Sequence, residues 1–133
     1  MNGLNVKVYS KAKDGQKKLS KNFKVREFAC TDGSDPIFVS PELVEVLQKI
    51  RDYFKSPIDI NSAYRTPGKN KSVGGADYSQ HLYGTAADIV VRGVKPTIVA
   101  AYAEKLLPKK GGIGIYSTFT HIDVRSTKSR WNG

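Results

Sequence analysis

The chain has 133 residues, 39% hydrophobic and 26% charged, a composition that excludes a largely disordered protein and leaves no room for two independent cores. The 22 Lys and Arg against 12 Asp and Glu give a net charge of +10, which implies attraction to a polyanion without saying which one. A single cysteine, Cys30, excludes an intramolecular disulfide and any multi-cysteine zinc module, and "REFACTDG" supplies no base to activate the thiol.

The start, "MNGLNVKVYSKAKDG", lacks the apolar run of a signal peptide, and nowhere do the roughly 18 apolar residues of a membrane helix occur together. A product made in the cytoplasm is therefore expected. Residues 1–22 read as a basic N-terminal arm, in which Leu4, Val6 and Val8 alternate with polar residues as a short edge strand or an extended segment. Phe23 is the only aromatic in the lysine-rich run Lys11 to Lys24 or in "RSTKSR" (Arg125 to Arg130), so a stacking surface for nucleic acid is not expected.

"VSPELVEVLQKIRDYF" predicts a helix, with Ser40 as its N-cap, Pro41 in its first position and Leu43, Leu47, Ile50 and Phe54 as its buried stripe. "IDINSAY" predicts a strand, and "RTPGKNKSVGGADYS" a long loop. "AADIVV" is a short apolar strand carrying one acid. "PTIVAAYAEKLLP" predicts a second helix with Ile98, Val99, Tyr102 and Leu106 on its packing side, and "GGIGIYSTFTHIDVR" a hairpin turning near Ser117 and Thr118. Residues 126–133 follow as a C-terminal tail, whose Trp131 either lines a substrate groove or covers the edge of the core. This order predicts one α+β domain over residues 1–133 with a mostly antiparallel sheet; doubly wound α/β is the competitor. "GGIGIY" has no helix immediately after it and so is not a dinucleotide loop.

Chemistry concentrates around the two histidines. On one helix, His81 and Asp88 would stand about 10 Å apart, too far to share an ion. A loop running into a strand brings them together, because Gly84 permits a tight turn and Thr85, Ala86 and Ala87 are small. Asp88 interrupts an apolar strand, and a buried carboxylate needs either a cation or donors. An ion pair with Arg65 or a lysine satisfies that need as well as a metal does. In "FTHIDV" the period of two puts His121 and Asp123 on one strand face, so two histidines and an aspartate form a three-ligand set of the kind used by catalytic zinc. Asp123 then stands as general base beside the metal's water, or holds a histidine through its other ring nitrogen.

"SAYRTPGKNKSVGGADYSQHLYGTAADIVV" followed by "GGIGIYSTFTHIDVR" resembles the zinc D,D-carboxypeptidases and murein endopeptidases, in particular their phage endolysin branch. The resemblance runs from about Phe23 to Arg125 and rests on Ser79, His81, Gly84, Ala87 and Asp88 together with the C-terminal His-x-Asp. It implies the hedgehog/D,D-peptidase α+β fold, zinc on His81, Asp88 and His121, a substrate-holding and carbonyl-polarising role for Arg65, and a peptide site shaped by Ser79 and Gln80. Many members of the wider family carry an acid three residues before the last histidine; here that residue is Thr118. The implied activity is hydrolysis of amide bonds in peptidoglycan, with a metal-binding, catalytically weak peptidoglycan-binding module of the same fold as the alternative. Peptidoglycan and anionic wall polymers are the implied partners of a monomer that reaches the wall by release or delivery, as a phage or prophage enzyme does.

Overall fold

A computed structural model describes residues 5–133. The chain order is β1 (Lys7–Ser10), α1 (Lys11–Asp14), β2 (Lys18–Ser20), β3 (Phe23–Lys24), a 3-10 turn (Val25–Phe28), β4 (Pro36–Val39), α2 (Pro41–Phe54), β5 (Ile58–Ser62) and α3 (Pro67–Ser72). A second 3-10 turn (Gln80–Tyr83), β6 (Ala86–Val91), α4 (Pro96–Leu106), β7 (Gly112–Ile115), β8 (Thr120–Asp123) and β9 (Ser129–Asn132) complete it. The main sheet has the order β5-β6-β8-β7-β9, antiparallel except for the β7–β9 edge pair. The fold is α+β, as expected.

Helix α2 forms where its pattern places it. The Ser40 hydroxyl accepts from the Leu43 amide, Pro41 opens the first turn, and Leu43, Leu47 and Ile50 are completely buried. They belong to one core with Ile89, Val91 and Ile122 of the sheet. Helix α4 packs less as expected: Val99, Ala100 and Ala103 are buried, while Ile98 is half exposed. Small alanines let the helix approach the sheet closely, and that overrides the larger side chains as a guide to its inner face.

Three segments read as an arm, a loop and a tail are ordered, and the short strand expected as one alternative in the arm is β1. The basic arm folds: β1 pairs antiparallel with β4, and β2 with β3, while its lysines Lys7, Lys11, Lys13, Lys17, Lys18 and Lys21 stay exposed. Leu4 lies outside the described residues. The loop after β5 contains α3, started by the Thr66 hydroxyl accepting from the Lys69 amide and by Pro67 in the first turn. The C-terminal tail adds β9 in parallel to β7. No helix among the described residues is long and apolar enough to cross a membrane.

Candidate metal centre

The register of the main sheet builds the site. Ser62 faces Asp88, Asp88 faces His121, His121 faces Gly114 and Gly114 faces Trp131, one row across five strands. Directly paired residues share a face of a sheet, so Asp88 and His121 project together. His81 joins them from the 3-10 turn, which Ser79 caps by accepting from the His81 amide and Gly84 ends with φ of 73°. A Cβ on Gly84 would sit 2.3 Å from the Phe38 carbonyl oxygen, so the turn docks only with glycine there.

The two histidines present different nitrogens. His81 Nδ1 donates to the Ala63 carbonyl at 2.7 Å, which leaves Nε2 facing Asp88 Oδ2 at 3.3 Å. His121 is reversed: Nε2 contacts Asp123 Oδ2 at 2.8 Å, and Nδ1 lies 2.9 Å from Asp88 Oδ1. One ligand atom from each of His81, Asp88 and His121 falls within 4.8 Å of the other two, and all three residues are buried. With the outer nitrogen of each imidazole held by an oxygen, this N,N,O set has the donors and the orienting shell that zinc requires.

Asp88 is not the simple partner of an arginine. Arg65 Nη2 is 3.7 Å away, farther than either histidine, and no lysine among the described residues pairs with Asp88. Burial alone would raise the Asp88 pKa, but the hydrogen bonds and charges of His121 and His81 hold it well below the usual carboxylate range. Burial opposes charge on His121 in turn, and Asp123 and Asp88 outweigh it, so its pKa lies above the ordinary imidazole value. The Arg65 guanidinium is fixed by Ser62 Oγ (3.2 Å) and Asn70 Oδ1 (3.3 Å), and Asn70 donates to the Ala76 carbonyl. Gly75 leaves room for that brace, since a Cβ there would lie 2.1 Å from Asn70 Oδ1.

These groups open onto a cleft of about 460 Å³ lined by Arg65, the Gly74–Ala76 segment, Tyr78, Ser79, Gln80, Tyr116, Phe119, Arg125 and Trp131, with His81, Asp88 and His121 in its wall. A groove of about 510 Å³ beside β1 and α2 is larger, but it brings together Lys7, Lys49 and Glu45 with no histidine. Chemistry, not volume, identifies the site. Ser79 and Gln80 reach the cleft, although the Gln80 side chain also accepts from the Thr85 hydroxyl.

Asp123, expected as a base for water or as a hold on a histidine, does not line the cleft. It is completely buried, and its carboxylate accepts from the Gly112 amide, from the Arg125 amide, Nε and Nη2, and from His121. Two-residue periodicity correctly puts it on the face of His121, but it lies on the far side of that imidazole from Asp88. Its pKa, which burial would raise, is held well down by Arg125 and His121. Of the alternatives for Asp123, the geometry favours the hold on His121, and among the described residues Asp88 is the only carboxylate lining the cleft.

Arg125 and Trp131 also belong here; of the two places open to Trp131 in the sequence the structure favours the groove, and Arg125 had no role assigned. Trp131 lies with its ring 5.0 Å from that of His121, donates from Nε1 to the Tyr116 hydroxyl, and lines the cleft rather than the core edge. A signal was present in "GGIGIY": Gly112 and Gly114 alternate on one strand face, where a Cβ would strike Asp123 Oδ2 at 2.2 Å or the Trp131 ring at 2.5 Å. Tyr64, by contrast, packs on Phe38 and stays out of the cleft.

No curated relative matches the chain. The family model of peptidase M15 matches residues 18–123, a span that contains His81, Asp88, His121 and Arg65 and ends at Asp123. The buried His-Asp-His cluster and that match agree, and the chain belongs to the M15 family of zinc peptidases.

Proposed function

We propose that the protein hydrolyses amide bonds in the stem peptides or cross-links of peptidoglycan, as an endolysin-like enzyme of cell-wall lysis or remodelling. The observation that carries this reading is the convergence of His81 Nε2, Asp88 and His121 Nδ1 in the wall of an open cleft beside a braced arginine. Zinc held by those three residues supplies a Lewis acid that polarises a scissile carbonyl and acidifies water. Arg65, already fixed by Ser62 and Asn70, meets the oxyanion that develops on the carbonyl, or a substrate carboxylate, with no reorganisation at the moment of reaction. Ser79 and Gln80 shape the rim on which the peptide lies, and Asp123 keeps the His121 ring in place.

The net charge of +10 holds the enzyme, acting as a monomer, near anionic wall polymers through attraction that weakens as salt rises. Release or delivery to the wall, as for a phage or prophage enzyme, fits the basic surface and the wall substrate. A second reading, a zinc-binding module that grips peptidoglycan with little turnover, draws support from the cleft lining, in which Asp88 is the only carboxylate among the described residues.

Mass spectrometry of fragments released from purified peptidoglycan separates the two. The zinc-loaded protein is expected to free fragments with new amine and carboxylate ends, and chelator to stop their release. The bond, whether D-Ala-D-Ala, L-Ala-D-Glu or a diamino-acid cross-link, follows from the fragment masses. Stoichiometric zinc with sedimentation on the wall and no new ends would support the binding module instead.

A further inference from the structure

Behind His121 lies a cluster that extends past the last residue of the family match. The two carboxylate oxygens of Asp123 divide their work. Oδ1 accepts from three donors, the Gly112 amide at 2.9 Å, the Arg125 amide at 3.1 Å and Arg125 Nε at 2.9 Å. Oδ2 accepts from His121 Nε2 at 2.8 Å and Arg125 Nη2 at 2.6 Å. The guanidinium therefore spans both oxygens with its planar fork, an arrangement lysine does not reproduce. Its carbon lies 5.5 Å from the centre of the Trp131 ring, which in turn faces His121.

Turning this buried carboxylate would leave donors without acceptors, a costly change where water is absent. Oδ2 is thus the one oxygen His121 meets. Both ring nitrogens face a carboxylate oxygen, so when Nδ1, the atom turned toward Asp88 and His81, gives up its proton to a metal, the acceptor held against Nε2 keeps the remaining proton there.

We propose that Arg125 is a positioning residue of the metal centre: with the Gly112 amide it locks Asp123 so that Oδ2 alone faces His121, fixing the tautomer that offers Nδ1 to the ion. This inference rests on the zinc reading of the site. It gives Asp123→Asn an unusual consequence. The three donors at Oδ1 demand an acceptor, so the amide carbonyl takes that position and the NH2 faces His121 Nε2. A donor there moves the imidazole proton to Nδ1, the nitrogen the metal needs. The NH2 also meets Arg125 Nη2, a second donor, so the substitution strains the clamp as well as setting the ligand wrongly.

Two measurements test this: zinc affinity by competition with a chromophoric chelator, and imidazole nitrogen–proton spectra of the zinc-loaded protein, in which only two histidines contribute. Wild type is expected to keep the His121 Nε2 proton and to bind zinc through Nδ1. Arg125→Lys and Asp123→Asn, shown by circular dichroism to be folded, are expected to lose about 10–100-fold in zinc affinity. Zinc on Nε2 of His121 in the wild type overturns the proposal even if every variant fails to fold. Folded variants within about twofold of wild-type affinity overturn it while leaving the metal site intact. A wild type that binds no zinc removes the site and the proposal together.

Discussion

His81 and His121 converge on one aspartate but are supported in opposite ways. His81 sits on a short turn, and the oxygen behind it is the backbone carbonyl of Ala63. His121 sits on a central strand, and the oxygen behind it is a carboxylate clamped by Arg125 and Gly112. A backbone acceptor survives any side-chain substitution that spares the fold, whereas a clamped carboxylate depends on each of its partners. The His81 side is therefore robust, and the His121 side is tunable.

Loss of a ligand should erase the distinction. His81→Ala, His121→Ala and Asp88→Ala are each expected to reduce zinc affinity and peptidoglycan hydrolysis by more than about 100-fold, since three protein ligands are the minimum for a catalytic zinc site. Isothermal titration and fragment release measure the two effects. Retained affinity in either histidine variant would break the pairing of the two sides. Arg65→Ala comes next, with zinc affinity near that of the wild type and hydrolysis lower by about 10²–10³-fold. A matching fall in zinc affinity would mean that Arg65 supports the ligands rather than the substrate.

The contrast sharpens with a substitution outside the ligands. Gly112→Ala puts a methyl group 2.2 Å from Asp123 Oδ2 and is expected to destabilise the fold by about 1–3 kcal/mol in a denaturant melt. It should also weaken zinc binding, because the clamp must shift. Adding a methyl to the open, exposed Gly68 should do neither.

The smallest effect is in pH. The His121 pKa is raised in the metal-free fold, so its ion pairs contribute fully below the ordinary imidazole value near 6.5 and are lost as pH rises through the folded value. Zinc needs Nδ1 without its proton. The zinc-induced rise in melting temperature should therefore grow between about pH 5.5 and pH 8, and a flat profile would contradict zinc binding by His121.

The two sides also differed in how far they could be read from the sequence. A turn glycine and small residues pointed to the approach of His81 to Asp88, and a period of two placed His121 beside Asp123. Periodicity assigns a face but not the partners on it, so it could not distinguish a base for water from a hold on the imidazole; that depends on Arg125 and Gly112. Helix α3 was hidden because "PGKNKSVGG" has weak helix propensity and owes its start to the Thr66 cap. Strand β9 was hidden because "SRWN" lacks apolar alternation and gains its order by pairing with β7.

X-ray absorption at the zinc edge of the protein loaded with one equivalent tests the central claim most directly. The expected first shell holds nitrogen and oxygen atoms at about 2.0–2.2 Å, with the outer-shell signature of two imidazoles. Sulfur at about 2.3 Å, signalling Cys30, or fewer than two imidazoles would contradict a site built from His81, Asp88 and His121.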